Sequence, residues 1–290
     1  MTPRLQHVRL WCIAAADSPT IAVIARVGAP TQTCILRWNW KKQIVEEGSW
    51  TSLRIHAPDC ALSPDGEFLL YRASGGRSGP FSAEYGGALA ISRLPWLSAL
   101  TDPAPAAVAG GGDSRHALSS GDQRKLWSLF HSDDQSNDAY TPLPPLHMLG
   151  GGWTLMPDWC DRFTSILQRR VNAVASQPIA GQQLSLVCAQ APSSSDTFGD
   201  RYPDVWNGNF SFFVHDSRSG TPPHRLHDVV WARAYDGGHI CVATRTQKLQ
   251  ILRLRYEDDG SKPPKVVQEH DLSDLRPNRR ASPNHARAAL

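Results

Sequence analysis

A chain of 290 residues with 41% hydrophobic and 20% charged side chains has an ordinary globular composition. It is long enough for one large all-β domain or two ordinary ones, with a sizeable core. A net charge of only +3, with many arginines close to the C-terminus, argues against a general nucleic-acid or anionic-membrane surface.

The N-terminal stretch MTPRLQHVRLWCIAAA is basic and apolar in part, but Asp17 and Pro19 break the run. It is too short to span a membrane and makes a poor signal peptide. The six cysteines, Cys12, Cys34, Cys60, Cys160, Cys188 and Cys241, stand singly. Several sit in apolar strand-like runs and behave as small buried hydrophobes. A reduced, cytoplasmic protein is expected.

Residues 20–26 (TIAVIAR) and 34–40 (CILRWNW) form the first strand-like runs, followed by 43–47. CILRWNW alternates apolar with polar side chains, as a strand with one buried face should. Next comes DCALSPDGEFLLY at 59–71, centred on Ser63, Pro64, Asp65 and Gly66. Proline presets φ for the second turn position, aspartate hydrogen-bonds its own backbone, and glycine accepts a positive φ. This is a β-hairpin corner in which Asp65 holds the turn. GRSGP at 76–80 lacks the spacing of a serine-hydrolase elbow and reads as a hairpin loop. In the stretch LAISRLPWLSAL, Pro95 ends a strand and leaves Arg93 and Trp96 at a rim suited to partner contacts.

Residues 99–152 are rich in Pro, Ala, Gly and Ser and read as a loop-rich insertion, with a short helix or edge strand at 124–131. The acids Asp133, Asp134 and Asp138 fail the calcium-loop pattern, because Ala139 and Pro145 stand where glycine and glutamate are required. The glycine runs at 110–112 and 150–152 lack the lysine of a phosphate loop. Trp153, Asp158 and Trp159 follow. Two rings and a carboxylate at a loop mouth suit a partner side chain, and the competing reading is that both rings cap the core. The spacing of Phe163, Ile166, Leu167 and Val171 predicts a helix over 158–173, with Arg169 and Arg170 near its C-terminal half.

Strand-like runs return at 210–215, 229–235, 239–245 and 249–256, joined by turn formers. His224 and His227 form an H-x-x-H pair without a third ligand, a weak zinc signal. The tail 276–290 has a disordered, basic composition. Ten tryptophans suit sheet packing first and an aromatic binding surface second.

DCALSPDGEFLLYRA and WARAYDGGHICVAT can be superposed as strand, Asp-Gly turn, strand, with Asp65 and Asp236 aligned. The Ser-Pro-Asp-Gly turn resembles that of TolB-like and WD-repeat-like β-propellers. The chain also resembles a group of bacterial propeller-like proteins of unassigned function, through residues 59–71, 89–100, 110–112 and 231–254. Ala88 stands where that group's pattern has Trp. Arg233 and Ala234 replace an acid and a second Trp.

The resemblance implies an all-β, β-propeller-like domain over residues 5–275. At 40–45 residues per blade, the length predicts about five to seven four-stranded blades, some degenerate. No acid–base pair, nucleophile, metal cage, cofactor motif or phosphate loop emerges from the sequence. The expectation is a non-catalytic protein-interaction or scaffold module of a bacterial cytoplasmic multi-protein system, with Arg93, Trp96, Trp153, Asp158 and Trp159 at the partner face. The alternatives are a propeller hydrolase or lyase whose catalytic residues come from different blades, and a small-molecule sensor. No membrane role is expected, and nucleic-acid contact is confined to the tail.

Overall fold

The structure, a computed structural model, describes residues 8–28, 32–57, 60–75, 87–100, 104–105, 152–179, 184–191, 210–216, 222–254, 264–278 and 283. The expected segment 124–131, the acidic loop, the loop 76–80 and the glycine run 110–112 lie outside them, as does most of the tail.

The described residues are mostly β with one short helix. Four antiparallel sheets carry the strands, each an up-and-down meander of the propeller-blade kind. The first sheet is β1 (Val8–Ala14), β2 (Thr20–Val27), β3 (Gln32–Asn39) and β4 (Ile44–Thr51), in that order. The second is β5 (Arg54–Ile55), β7 (Phe68–Ser74), β8 (Ala88–Arg93) and β9 (Ala104–Pro105), with β6 (Ala61–Leu62) also paired to β7. In the third, β10 (Thr154–Leu155), β11 (Ala173–Pro178), β12 (Leu184–Gln190), β13 (Phe210–Asp216) and β14 (His224–Leu226) follow one another. The fourth is β15 (Val229–Tyr235), β16 (His239–Thr244), β17 (Lys248–Arg253) and β18 (Lys265–Asp271).

Four sheets among the described residues replace the expected five to seven. The length estimate assumed uniform blades of about 40–45 residues. The third sheet instead spans Thr154 to Leu226, and nearly fifty positions separate Pro105 from Thr154.

The chain divides into two compact units. One comprises Met1–Val8, Cys12–Thr141 and Leu275–Leu290; the other comprises Arg9–Trp11 and Pro142–Asp274.

In the first unit, β2 is buried along nearly its whole length, as its continuous apolar run requires. The Ser63–Gly66 corner is a hydrogen-bonded turn: the Gly66 N–H donates to the Ser63 carbonyl at 2.8 Å. Asp65 Oδ1 accepts from the Ser63 hydroxyl at 2.5 Å and from the Glu67 N–H at 2.9 Å. Ser63 Oγ in turn accepts from the Phe68 N–H at 2.9 Å. Gly66 has φ +77°, and a Cβ there would stand 2.5 Å from Thr20 Cβ. The corner therefore needs glycine for both conformation and space. It also docks on the first sheet, where the Asp17 N–H donates to the Pro64 carbonyl at 2.8 Å. At the free edge of β4, the Ser49 N–H donates to the Pro95 carbonyl at 3.1 Å. Ser49 Oγ accepts from the Leu97 N–H at 2.9 Å.

In the second unit, the predicted helix forms but is shorter. A 3-10 turn over Pro157–Trp159 leads into α1 (Cys160–Leu167). Gln168 takes the left-handed conformation at φ 51° and ends the helix. Arg169, Arg170 and Val171 thus lie beyond it, and the Val171 N–H is satisfied by Thr164 Oγ1 at 3.1 Å. Phe163, Val171, Val174, Val187, Ala189 and Phe213 form the core under α1. Gln177 of β11 meets the open edge of β15: its Oε1 accepts from the Ala234 N–H at 3.0 Å, and its Nε2 faces the Ala234 carbonyl at 3.4 Å. One carboxamide thus supplies a donor and an acceptor in place of a neighbouring strand.

Cys12, Cys34, Cys188 and Cys241 are buried thiols, with Cys60 and Cys160 half-buried. Among the described residues no helix is long and apolar enough to cross a membrane.

Candidate functional site

The five residues singled out by sequence fall into two local settings. Arg93 and Trp96 belong to the first unit. Arg93, at the end of β8, pairs across the strand with Phe68. Its guanidinium stands 4.9 Å from the Phe68 ring centre and 3.5 Å from a Glu67 carboxylate oxygen. Trp96, half-buried, closes the turn that follows: its N–H donates to the Arg93 carbonyl at 2.7 Å. Arg93 is thereby committed to the face of its own hairpin, and the exposed ion pair adds little stability.

Trp153, Asp158 and Trp159 belong to the second unit, where the two rings are not neighbours. Phe212 and Phe213 are consecutive in β13 and point to opposite faces of the sheet. Trp153 packs against Phe212, ring centres 6.5 Å apart. Trp159 stacks on Phe163 at 6.1 Å and meets His215 edge-on at 5.2 Å. His215, two positions from Phe213, shares the helix-covered face. Asp158 is exposed in the 3-10 turn between the two tryptophans.

Trp159 and its surroundings form the best-defined cluster. The Arg162 guanidinium lies 5.7 Å from the Trp159 ring centre, within cation–π range. His215 is only 5% exposed, and its Nδ1 meets no acceptor or donor among the described residues. Burial holds its imidazole below the ordinary value of 6.5; the nearby Arg162 adds to this and Asp216 opposes it. His215 is consequently a neutral ring at physiological pH, with its edge against an aromatic face. Chemically the cluster offers an aromatic surface, one cation and one uncharged imidazole, with Asp158 at the rim. Sequence reasoning missed Arg162 and His215. Arg162 was legible as the i+3 neighbour of Trp159 on a helix, whereas His215 needs the strand register.

The remaining polar candidates do not assemble. His224 in β14 is half-buried and held below its ordinary value by burial and by neighbouring His227. Among the described residues no group of three or more His, Cys, Asp or Glu side chains converges to hold a metal ion.

No protein-family model matches the chain, and no curated protein matches it. Among solved structures, an uncharacterized protein from Listeria monocytogenes EGD-e is similar at 9% identity and a TM-score of 0.23. The match covers 90% of this chain and 65% of that protein, so the chain spans about two-thirds of its length.

Proposed function

We propose that the chain is a non-catalytic protein-interaction module of the TolB-like or WD-repeat-like propeller kind, serving a bacterial cytoplasmic multi-protein system. The observation that carries this reading is the Trp159–Arg162 pair at the start of α1, where the half-buried Trp159 ring rests on the core and the exposed Arg162 lies against it. Trp and Arg dominate binding hot spots because a large ring and a planar cation gain much contact at small entropic cost. Ile166, 38% exposed, follows Arg162 by four residues and extends the same helix face. Leu155, 44% exposed on the edge strand β10, is a further apolar side chain in this unit that its own core does not use. The Ser63–Gly66 corner between β6 and β7 supports the propeller kinship, because it joins the first and second strands of a meander, as the turn at Asp236 does in the fourth sheet.

The test is affinity purification of the full chain from its native host, with mass spectrometry and native sizing, comparing wild type with Arg162→Ala and Ile166→Ser. Both variants alter exposed side chains and should melt as wild type does. A stoichiometric protein held by the wild type and lost from these variants supports the reading and places the contact on α1. Arg93→Ala and Trp96→Ala examine the other predicted face in the same way. A monomer without any stoichiometric protein overturns the reading.

A further inference from the structure

Strand β15 presents Trp231, Arg233 and Tyr235 at alternate positions, hence on one face of the fourth sheet. Trp231 is 3% and Arg233 8% exposed. The Trp231 Nε1–H and the Nε and Nη1 groups of Arg233 are all buried, and none meets an acceptor among the described residues. The Tyr235 ring lies 5.7 Å from the Arg233 guanidinium carbon. That contact attracts the charge, but a ring face offers no lone pair to in-plane N–H donors. The adjacent backbone is already committed, since Gln177 takes both polar groups of Ala234.

Two general facts make this row of donors informative. Buried N–H groups in native proteins are almost always paired, and each unpaired one is costly. An arginine side chain also stays charged in proteins, and a buried charge without a counter-charge is strongly destabilising. A neutral acceptor could satisfy the donors, but only an anion offsets the charge as well.

We infer that Trp231 and Arg233 form part of a binding site for an oxyanion group, a carboxylate or a phosphate, with Arg233 as the counter-charge and the Trp231 indole N–H as a second donor. The inference does not rest on the protein-interaction reading. It concerns β15, and the α1 variants leave it untouched.

The experiment measures the melting temperature of the full chain in sodium phosphate, sodium acetate and sodium chloride at matched ionic strength. Titration calorimetry with the active anion follows. The expected result is a saturable rise in phosphate, acetate or both that chloride does not reproduce; which anion acts identifies the chemical source. Arg233→Met should abolish that rise, weakening binding on the order of a hundredfold. The same variant should melt at or above wild type in chloride, because it removes a buried uncompensated charge. Trp231→Phe keeps the ring and removes the donor, so it should weaken binding a few-fold, on the order of one neutral hydrogen bond. It also serves as the test if Arg233→Met does not fold. Equal melting of the wild type in all three salts overturns the inference. So does an anion effect that persists undiminished in both variants.

Discussion

Replacing Gln177 by Met keeps the length and bulk of the side chain and removes its amide. The Ala234 N–H then loses its acceptor at 3.0 Å, and the Ala234 carbonyl loses the weaker donor at 3.4 Å. Both groups face outward from an edge strand, and Gln177 itself is 8% exposed, so water reaches them poorly. A buried backbone group left unsatisfied costs about 1–3 kcal/mol. With one good bond and one long one, the expected loss is about 2–4 kcal/mol. Urea unfolding should show it as a lower midpoint, and amide exchange at Ala234 should accelerate by a matching factor. Gln177→Glu offers a contrast. It keeps an acceptor for the N–H but sets a second oxygen against the Ala234 carbonyl, so it should be no better than Met at neutral pH. A Gln177→Met protein within about 0.5 kcal/mol of wild type, with unchanged exchange at Ala234, would refute the view that this carboxamide substitutes for a strand.

Three further outcomes follow from the geometry. A Cβ at Gly48 would fall on the Pro95 carbonyl, so Gly48→Ala must push β4 from the turn that covers it. It should cost at least about 2 kcal/mol by thermal melting, and a neutral result would show that the approach is looser than described. Asp65→Ala removes the acceptor shared by the Ser63 hydroxyl and the Glu67 N–H and should destabilise by about 1–2 kcal/mol. Asp65→Asn, which retains Oδ1, should recover most of that, and equal losses in the two variants would count against the turn network. His215, His224 and His270 are each held below the ordinary histidine value of 6.5, foremost by burial. The unfolded chain then binds more protons than the folded one in acid, so their contribution is complete above 6.5 and is lost as pH falls below it. Urea midpoints measured on both sides of that value should fall on the acid side, and His215→Gln should flatten the fall. A midpoint that rises on acidification sinks the argument.

The parts of the fold that were legible in the sequence are those fixed locally. The Ser63–Gly66 corner carries its chemistry within four residues, and β13, β15, β16 and β17 declare themselves as apolar runs between turn formers. β18 gave no such signal, because KVVQEHD is an edge strand with most side chains exposed and needs no buried alternation. The sequence predicts a longer helix than forms because Val171 fits a helical spacing. In the structure that residue reaches the same core from the approach to β11, and nothing in the local sequence marks Gln168 as left-handed. The candidate site was legible only in composition. Trp153 and Trp159 are six residues apart, but the 3-10 turn at Pro157 carries the chain from one face of the sheet to the other, so the rings never meet.

In a molecule built of small meanders, binding chemistry is found away from the turns. Charged and polar residues that stand out in turns are largely consumed by the turns themselves. Asp65 accepts from its own hairpin, and Arg93 lies along Phe68 beside Glu67. Side chains that join one element to another are also spent, as Gln177 is on Ala234. What remains is the donor that folding has buried without pairing, and Arg233 is the sharpest case, because a charge cannot be satisfied by geometry alone. A donor-lined cationic position on β15 takes an oxyanion, where an acid would take a cation. If Arg233→Glu were made, anion-dependent stabilisation should disappear. Its replacement by a cation dependence would show that the strand's position, rather than one residue, defines the site.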